Sequence, residues 1–213
     1  MSGVEERPQL LTLTKKLSGK KIRKALLNAI LIILIVSASM NIYYFFSSQD
    51  LTKRIQGATS ETAKELLFSL GYATVVLETE ANPQNIHALI RCFDFYMQSA
   101  LDNIRTLRDY LLPSYAKSLL PIQDLLWNIS VVGTGGVCHT LETLASKTNI
   151  TVAVEAFKEL NRVASEKLSA MGHEVANAFN TVEPFIIPSR LDTAVSIAND
   201  LKSTLNEWIT KYS

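Results

Sequence analysis

Twenty-two consecutive residues without a charge, ALLNAILIILIVSASMNIYYFF from Ala25 to Phe46, set the first limit on what this chain can fold into. As a helix they would extend about 33 Å, enough to cross a hydrocarbon core roughly 30 Å thick. Ile30 to Val36 is unbroken aliphatic sequence. The polar members Asn28, Ser37, Ser39 and Asn41 are neutral, and a membrane helix accommodates such groups near its ends or against a partner. Tyr43, Tyr44, Phe45 and Phe46 close the run with rings that favour the headgroup zone.

Charge is distributed around this run in a way that reads as topology. Residues 1–24 hold Arg7, Lys15, Lys16, Lys20, Lys21, Arg23 and Lys24 against Glu5 and Glu6. Their balance is +5 in a chain whose total is +1, so the remainder carries −4. Asp50, Lys53 and Arg54 beyond the run nearly cancel. The positive-inside rule then predicts a cytoplasmic N-terminus and an extracytoplasmic location for residues 47–213, in a single-pass cell-membrane protein. A basic tail beside a membrane segment, on an otherwise mildly acidic chain, argues against nucleic acid as a partner and for the lipid bilayer. The tail also carries a short amphipathic stretch (Leu10, Leu11, Leu13, Leu17) that could dock a cytoplasmic protein, though contact with anionic lipid explains it as well.

Other readings of the run are weaker. A buried core helix would not need so long an uninterrupted stretch behind a basic flank. Ser37-Ala38-Ser39 has the small-x-small form of a signal-peptide cleavage site, but the leader before it is long and the apolar run continues through Phe46, which favours an uncleaved anchor. Processing after Gly19 would leave Lys20, Lys21, Arg23 and Lys24 where apolar residues are needed. The sequence contains no second apolar run of spanning length.

From Asp50 onward, apolar residues recur at threes and fours, and strand-like alternation is nearly absent. Ala63, Leu66, Leu70, Ala73 and Leu77 share one face of a first segment (50–81), which can continue straight from the anchor. Asn82-Pro83 supplies a stop and a new start. A second segment (83–112) holds the most regular stripe: Ile86, Ile90, Phe93, Met97, Ala100, Ile104, Leu107 and Leu111. In the third (114–147), Leu119, Ile122, Leu126 and Ile129 keep the period despite Pro121. After Gly133-Thr134-Gly135-Gly136 the pattern resumes one residue out of phase at Val137, Leu141 and Leu144, which predicts a kink or a break into two helices. A fourth (149–182) places Val154, Phe157, Asn161, Ala164, Leu168, Met171, Val175, Ala178 and Val182 inward. The last begins at Ser189, with Asp192 in capping-box position, and buries Leu191, Val195, Ala198, Leu201, Leu205 and Trp208.

The expected fold is therefore all-α: one N-terminal transmembrane helix, then an extracytoplasmic up-and-down bundle of four to five long helices. The domain reading is a tail (1–24), an anchor (25–46) and a bundle (47–213). The organisation is similar to the front half of a bacterial or archaeal receptor in architecture alone, without a second membrane helix or an output domain.

Chemistry is sparse. Cys92 and Cys138 both fall outside the membrane, where an oxidising compartment permits a disulfide; burial as free thiols fits equally. His87, His139 and His173 lack metal-site spacing and read as ordinary surface histidines. The Gly133–Gly136 cluster lacks the Lys-Ser/Thr of a phosphate loop and reads as a hinge. Asn128-Ile129-Ser130 and Asn149-Ile150-Thr151 match the glycosylation pattern at a frequency expected by chance, and only Asn149 falls at a link. Arg91, Arg105 and Arg108 could bind an anion, but nearby aspartates provide simpler partners. No catalytic or cofactor site is read, and enzymatic activity is not expected. The leading expectation is an interaction or structural subunit that assembles with itself or with envelope partners. The other is a sensor-like module holding a small ligand between helices.

Overall fold

The computed structural model describes residues 7–130, 135–179 and 186–213; for residues 7–23, 25, 26 and 148 it describes the backbone alone. Every regular element among them is helical. The chain divides into two compact units, Met1–Lys53 and Arg54–Ser213.

Helix α1 runs from Arg7 to Glu78. Neither Gly57 nor Gly71 interrupts it: each costs helix propensity, but no proline or cap is present to end the helix. Within the first unit, every described side chain from Leu27 through Lys53 is exposed, including Ile33 at 67 % and Leu34 at 61 %. This is the one helix among the described residues long and apolar enough to cross a membrane.

The second unit begins with the amphipathic end of α1, where Ala63, Leu66, Leu70, Ala73 and Leu77 are buried as the period predicts. A side-chain clasp then turns the chain. Asn82 Oδ1 accepts from the backbone N–H groups of Gln84 and Asn85, while Asn85 Oδ1 accepts from Asn82 N at 2.8 Å. The expected helix start at Pro83 is thereby delayed, and α2 spans Ile86–Thr106. A π-helical turn at Leu107–Leu111 and a 3-10 turn at Pro113–Tyr115 lead into α3 (Ala116–Ser130), which holds Pro121 without breaking. Gly135, with φ +93°, adopts a backbone conformation suited to glycine just ahead of α4 (Val137–Thr143), so the out-of-phase region does form two helices. Gly133 and Thr134 lie outside the described residues. A second π-helical turn at Leu144–Thr148 precedes α5 (Ile150–Phe179), and α6 (Pro188–Tyr212) completes the unit.

Neighbouring helices close a circuit. The α1 segment meets α2 through Ser69–Ser99 and Tyr72–Tyr96, and meets α5 through Thr74–Ser165 and Leu70–Gly172. Helix α2 packs on α3, α3 on α6, and α6 on α5, with α4 touching α2, α3, α5 and α6. The α5–α6 seam is antiparallel, bound by Glu174–Arg190, Lys167–Asp200 and Glu159–Lys211. Helices α3 and α6 instead run in the same sense, since Asp124 pairs with Lys202 and Asn128 with Asn206. Five helices cannot alternate all the way around a closed circuit, so one neighbouring pair must be parallel; helices that follow one another in the chain, α1 and α2 or α5 and α6, are antiparallel.

Three expected positions shift. Leu160, not Asn161, fills the slot between Phe157 and Ala164 in α5; Asn161 is half-buried. Ala194 rather than Val195 is fully buried in α6. The capping box is not formed, because α6 starts at Pro188 with Ile187 as its extended N-cap and no side-chain cap. Val182 lies outside the described residues.

Candidate interaction surface

The core stripe of α2 leaves its opposite side to solvent, and there Phe95 is 66 % exposed. On α1, Phe68, Tyr72 and Val75 are likewise exposed, at 63 %, 56 % and 59 %. Because Tyr72 stands level with Tyr96, these side chains form one face. The Tyr72 and Tyr96 rings stack at 5.3 Å between centroids, and Phe95 meets Tyr96 edge-on at 5.4 Å. Such geometries match the quadrupole preference of aromatic pairs. A groove of about 310 Å³ runs through the face between Glu65 and Asn103. Its floor is tied by the Ser69–Ser99 hydroxyl contact at 2.9 Å. Sequence reasoning missed this face. Its signal was available as off-stripe aromatics at 68, 72 and 95, but their joining depends on how α1 and α2 register.

The cysteines are placed differently from one another. Cys92 is exposed on α2, one turn before Phe95 and Tyr96, whereas Cys138 is buried at the start of α4; both are free thiols. Burial pushes the Cys138 thiol well above its ordinary value, and the neighbouring Asp94 carboxylate adds to that effect. Asp94 itself is pushed up, chiefly by burial. Its Oδ2 accepts from Gln98 Nε2 at 2.6 Å, and its Oδ1 is buried without a well-formed bond, the Cys138 thiol offering only a weak one. A thiol held protonated in this way is a poor nucleophile.

The arginines are paired. Arg91 lies 3.9 Å from Glu142, Arg105 lies 3.4 Å from Asp102 and also covers the Trp127 ring, and Arg108 binds Asp109 with two nitrogens. That hydrogen bond holds the Asp109 carboxyl below its usual value. His87 and His139 are half-buried and His173 is exposed. Among the described residues, no three His, Cys, Asp or Glu side chains gather for a metal. Asn149 is exposed at the link before α5, with its Oδ1 accepting from Thr151 N at 2.9 Å. Asn128 is half-buried in α3, its amide toward Asn206.

A second groove, about 370 Å³, is lined by Gly135, His139, Thr140, Thr143, Leu144, Tyr212 and Ser213. Beside it the end of α6 is locked down: Trp208 Nε1 donates to Ala156 O at 3.2 Å, and both Lys211 and Tyr212 bind Glu159. The Lys211 contact, more than the others, holds Glu159 below the usual carboxylate value. Comparison with protein-family models, curated proteins and solved structures finds no match to this chain.

Proposed function

We propose that this protein is a single-pass membrane protein, with its basic N-terminal tail in the cytoplasm and a helical bundle outside, and that it serves as an interaction subunit rather than an enzyme. The observation that carries the reading is the contrast in burial along α1. Large apolar side chains from Leu27 to Phe46 are at least half exposed, while the helices beyond Arg54 enclose a continuous core. A helix that is apolar on all sides and covered by no protein is accounted for by lipid. Soluble monomers rarely leave contiguous apolar patches larger than a few hundred Å² in water. The lysines at the start of the run support the orientation. The second apolar face, on α1 and α2, supports assembly as the role of the bundle, because it exposes rings and no catalytic constellation.

The test is flotation of the full-length chain with lipid vesicles, followed by alkaline extraction and protease protection in cell-derived membranes. The expected result is a carbonate-resistant chain whose residues beyond 47 are digested only from the extracytoplasmic side. Release into the alkaline supernatant would remove the anchor, and digestion from the cytoplasmic side would invert the topology.

A further inference from the structure

We propose that the aromatic face of α1 and α2 is where two copies of this chain meet, an inference that deepens the membrane-anchored reading and rests on it for its strength. Apart from Glu65, which lines one end of its groove, the face is neutral: Phe68, Tyr72 and Val75 on α1, with Cys92, Phe95 and Ser99 on α2. The charges stand on its two outer rims. At 100° per residue, Lys64 and Glu78 fall on the side of α1 turned away from α2, and Arg91 and Asp102 on the side of α2 turned away from α1. All four are exposed.

With Ser69 level with Ser99 and Tyr72 with Tyr96, Lys64 stands near the height of Asp102 and Glu78 near that of Arg91. A two-fold axis running along the helices therefore sets Lys64 against the second copy's Asp102, and Glu78 against its Arg91. A two-fold axis running across the helices would reverse α1 in the second copy and point its N-terminal run the opposite way, which two chains anchored in one bilayer do not allow. The isologous contact about the axis along the helices pairs opposite charges, which is the self-complementarity a homodimer requires, although Arg91 and Asp102 must share themselves with Glu142 and Arg105 of their own chain. Glu61 and Glu65, at one end, confine the contact to the rings.

The size of the face decides its strength. Three rings and a valine exposed by about 60 % present on the order of 450 Å² per copy. That is roughly half of what a stable soluble complex buries on each side. The contact is thus weak between free molecules, and confinement of both copies to one bilayer raises their effective concentration enough to populate it.

The experiment uses Cys92 as a native reporter inside the face, with buried Cys138 silent. Full-length protein in phosphatidylcholine–phosphatidylglycerol vesicles is treated with a short bismaleimide, and flotation is read on the same samples. A product of twice the chain mass is expected. Phe95→Glu or Phe68→Glu should lower it at least tenfold, and Tyr110→Glu, on an exposed ring elsewhere, should leave it unchanged. Lys64→Glu should lower it about threefold. Recovery on adding Asp102→Lys supports the axis along the helices; no recovery overturns the pairing. Chains that float yet yield only monomer, or a Phe95→Glu variant that cross-links like the parent, overturn the dimer and leave the anchor standing. Chains that cross-link without floating overturn the anchor and leave the dimer.

Discussion

Helix α1 carries apolar side chains in two ways. From Leu27 to Phe46 they surround the helix and the described ones are exposed; beyond Arg54 a single stripe of them, Ala63, Leu66, Leu70, Ala73 and Leu77, is essentially inaccessible, with Phe68, Tyr72 and Val75 left outside it. The helical backbone is the same in both, so the difference lies in the pattern alone. An all-round pattern leaves no polar side for water, and a stripe demands a protein partner on one side and water on the other. On the proposed reading, the chain encodes two solvents by changing the period of its hydrophobicity within one helix.

Substitutions can break that comparison at either end. The largest effect is expected in the protein-packed part, where Phe93 and Phe95 are two residues apart on α2 but on opposite faces. Phe93→Ala empties a fully buried site and should cost about 3–5 kcal/mol. Phe95→Ala, at a mostly exposed position, should stay within about 0.5 kcal/mol. Denaturant unfolding of the detergent-solubilised full chain, followed by circular dichroism, separates the two; equal losses would mean that Phe95 is not at the surface.

In the all-round part, the disruptive change is a charge. Ile33→Arg places a guanidinium at the centre of the span, at a cost of about 3 kcal/mol for insertion. Alkaline extraction should release this variant, and its unfolding midpoint should match the parent because Ile33 is exposed rather than part of the buried core. A lowered midpoint would show that the run is part of the protein core after all.

Much of this was legible in advance. The α2 stripe is buried from Ile86 through Leu107, with only Leu111 half-exposed, since a sustained three-and-four spacing allows one face and no other. The misses in α5 and α6 have a common cause. Leu160 and Asn161, or Ala194 and Val195, are both compatible with that spacing, and the choice depends on which neighbours the helix has. Helix α6 lies between α5 and α3, so its buried face is broader than a single stripe and is centred differently. Polarity alone could have selected Leu160 over Asn161. The aromatic face was not legible because its two halves lie on different helices, and the turn at Asn82–Asn85 sets how they meet.

A smaller effect distinguishes glycines on the two sides of the α1 helix. A Cβ at Gly71 would meet no atom within 4 Å, whereas one at Gly172 would come within 3.2 Å of Leu70 Cδ1 and 3.3 Å of Leu67 Cδ1 across the α1–α5 seam. Gly71→Ala should therefore gain most of the helix-propensity difference, about 0.5–1 kcal/mol. Gly172→Ala gains the same propensity but must push two leucine methyls aside in a dense interior, so its net gain should be smaller or reversed. Equal stabilisation in thermal unfolding would show that the seam is loosely packed.

The smallest effect is a pair of opposite pH dependences. Asp94 is raised by burial, so its ionised form is a cost in the folded state that accumulates as pH rises from the ordinary aspartate value of 3.8 through the raised one. Asp94→Asn should therefore raise the unfolding midpoint at neutral pH, and the advantage should vanish below 3.8. Glu159 is lowered, first by the hydrogen bond from Lys211 and then by that from Tyr212. Its contribution is present above the ordinary value of 4.5 and is lost as pH falls through the depressed one. Glu159→Gln should lower the midpoint at neutral pH, by a small amount because the pair is near the surface, and the two curves should converge in acid. Both carboxylates sit on helices of the same unit, so melting curves of the two variants against pH must diverge in opposite directions at neutrality; divergence in the same direction would mean that the burial of Asp94 is relieved by water.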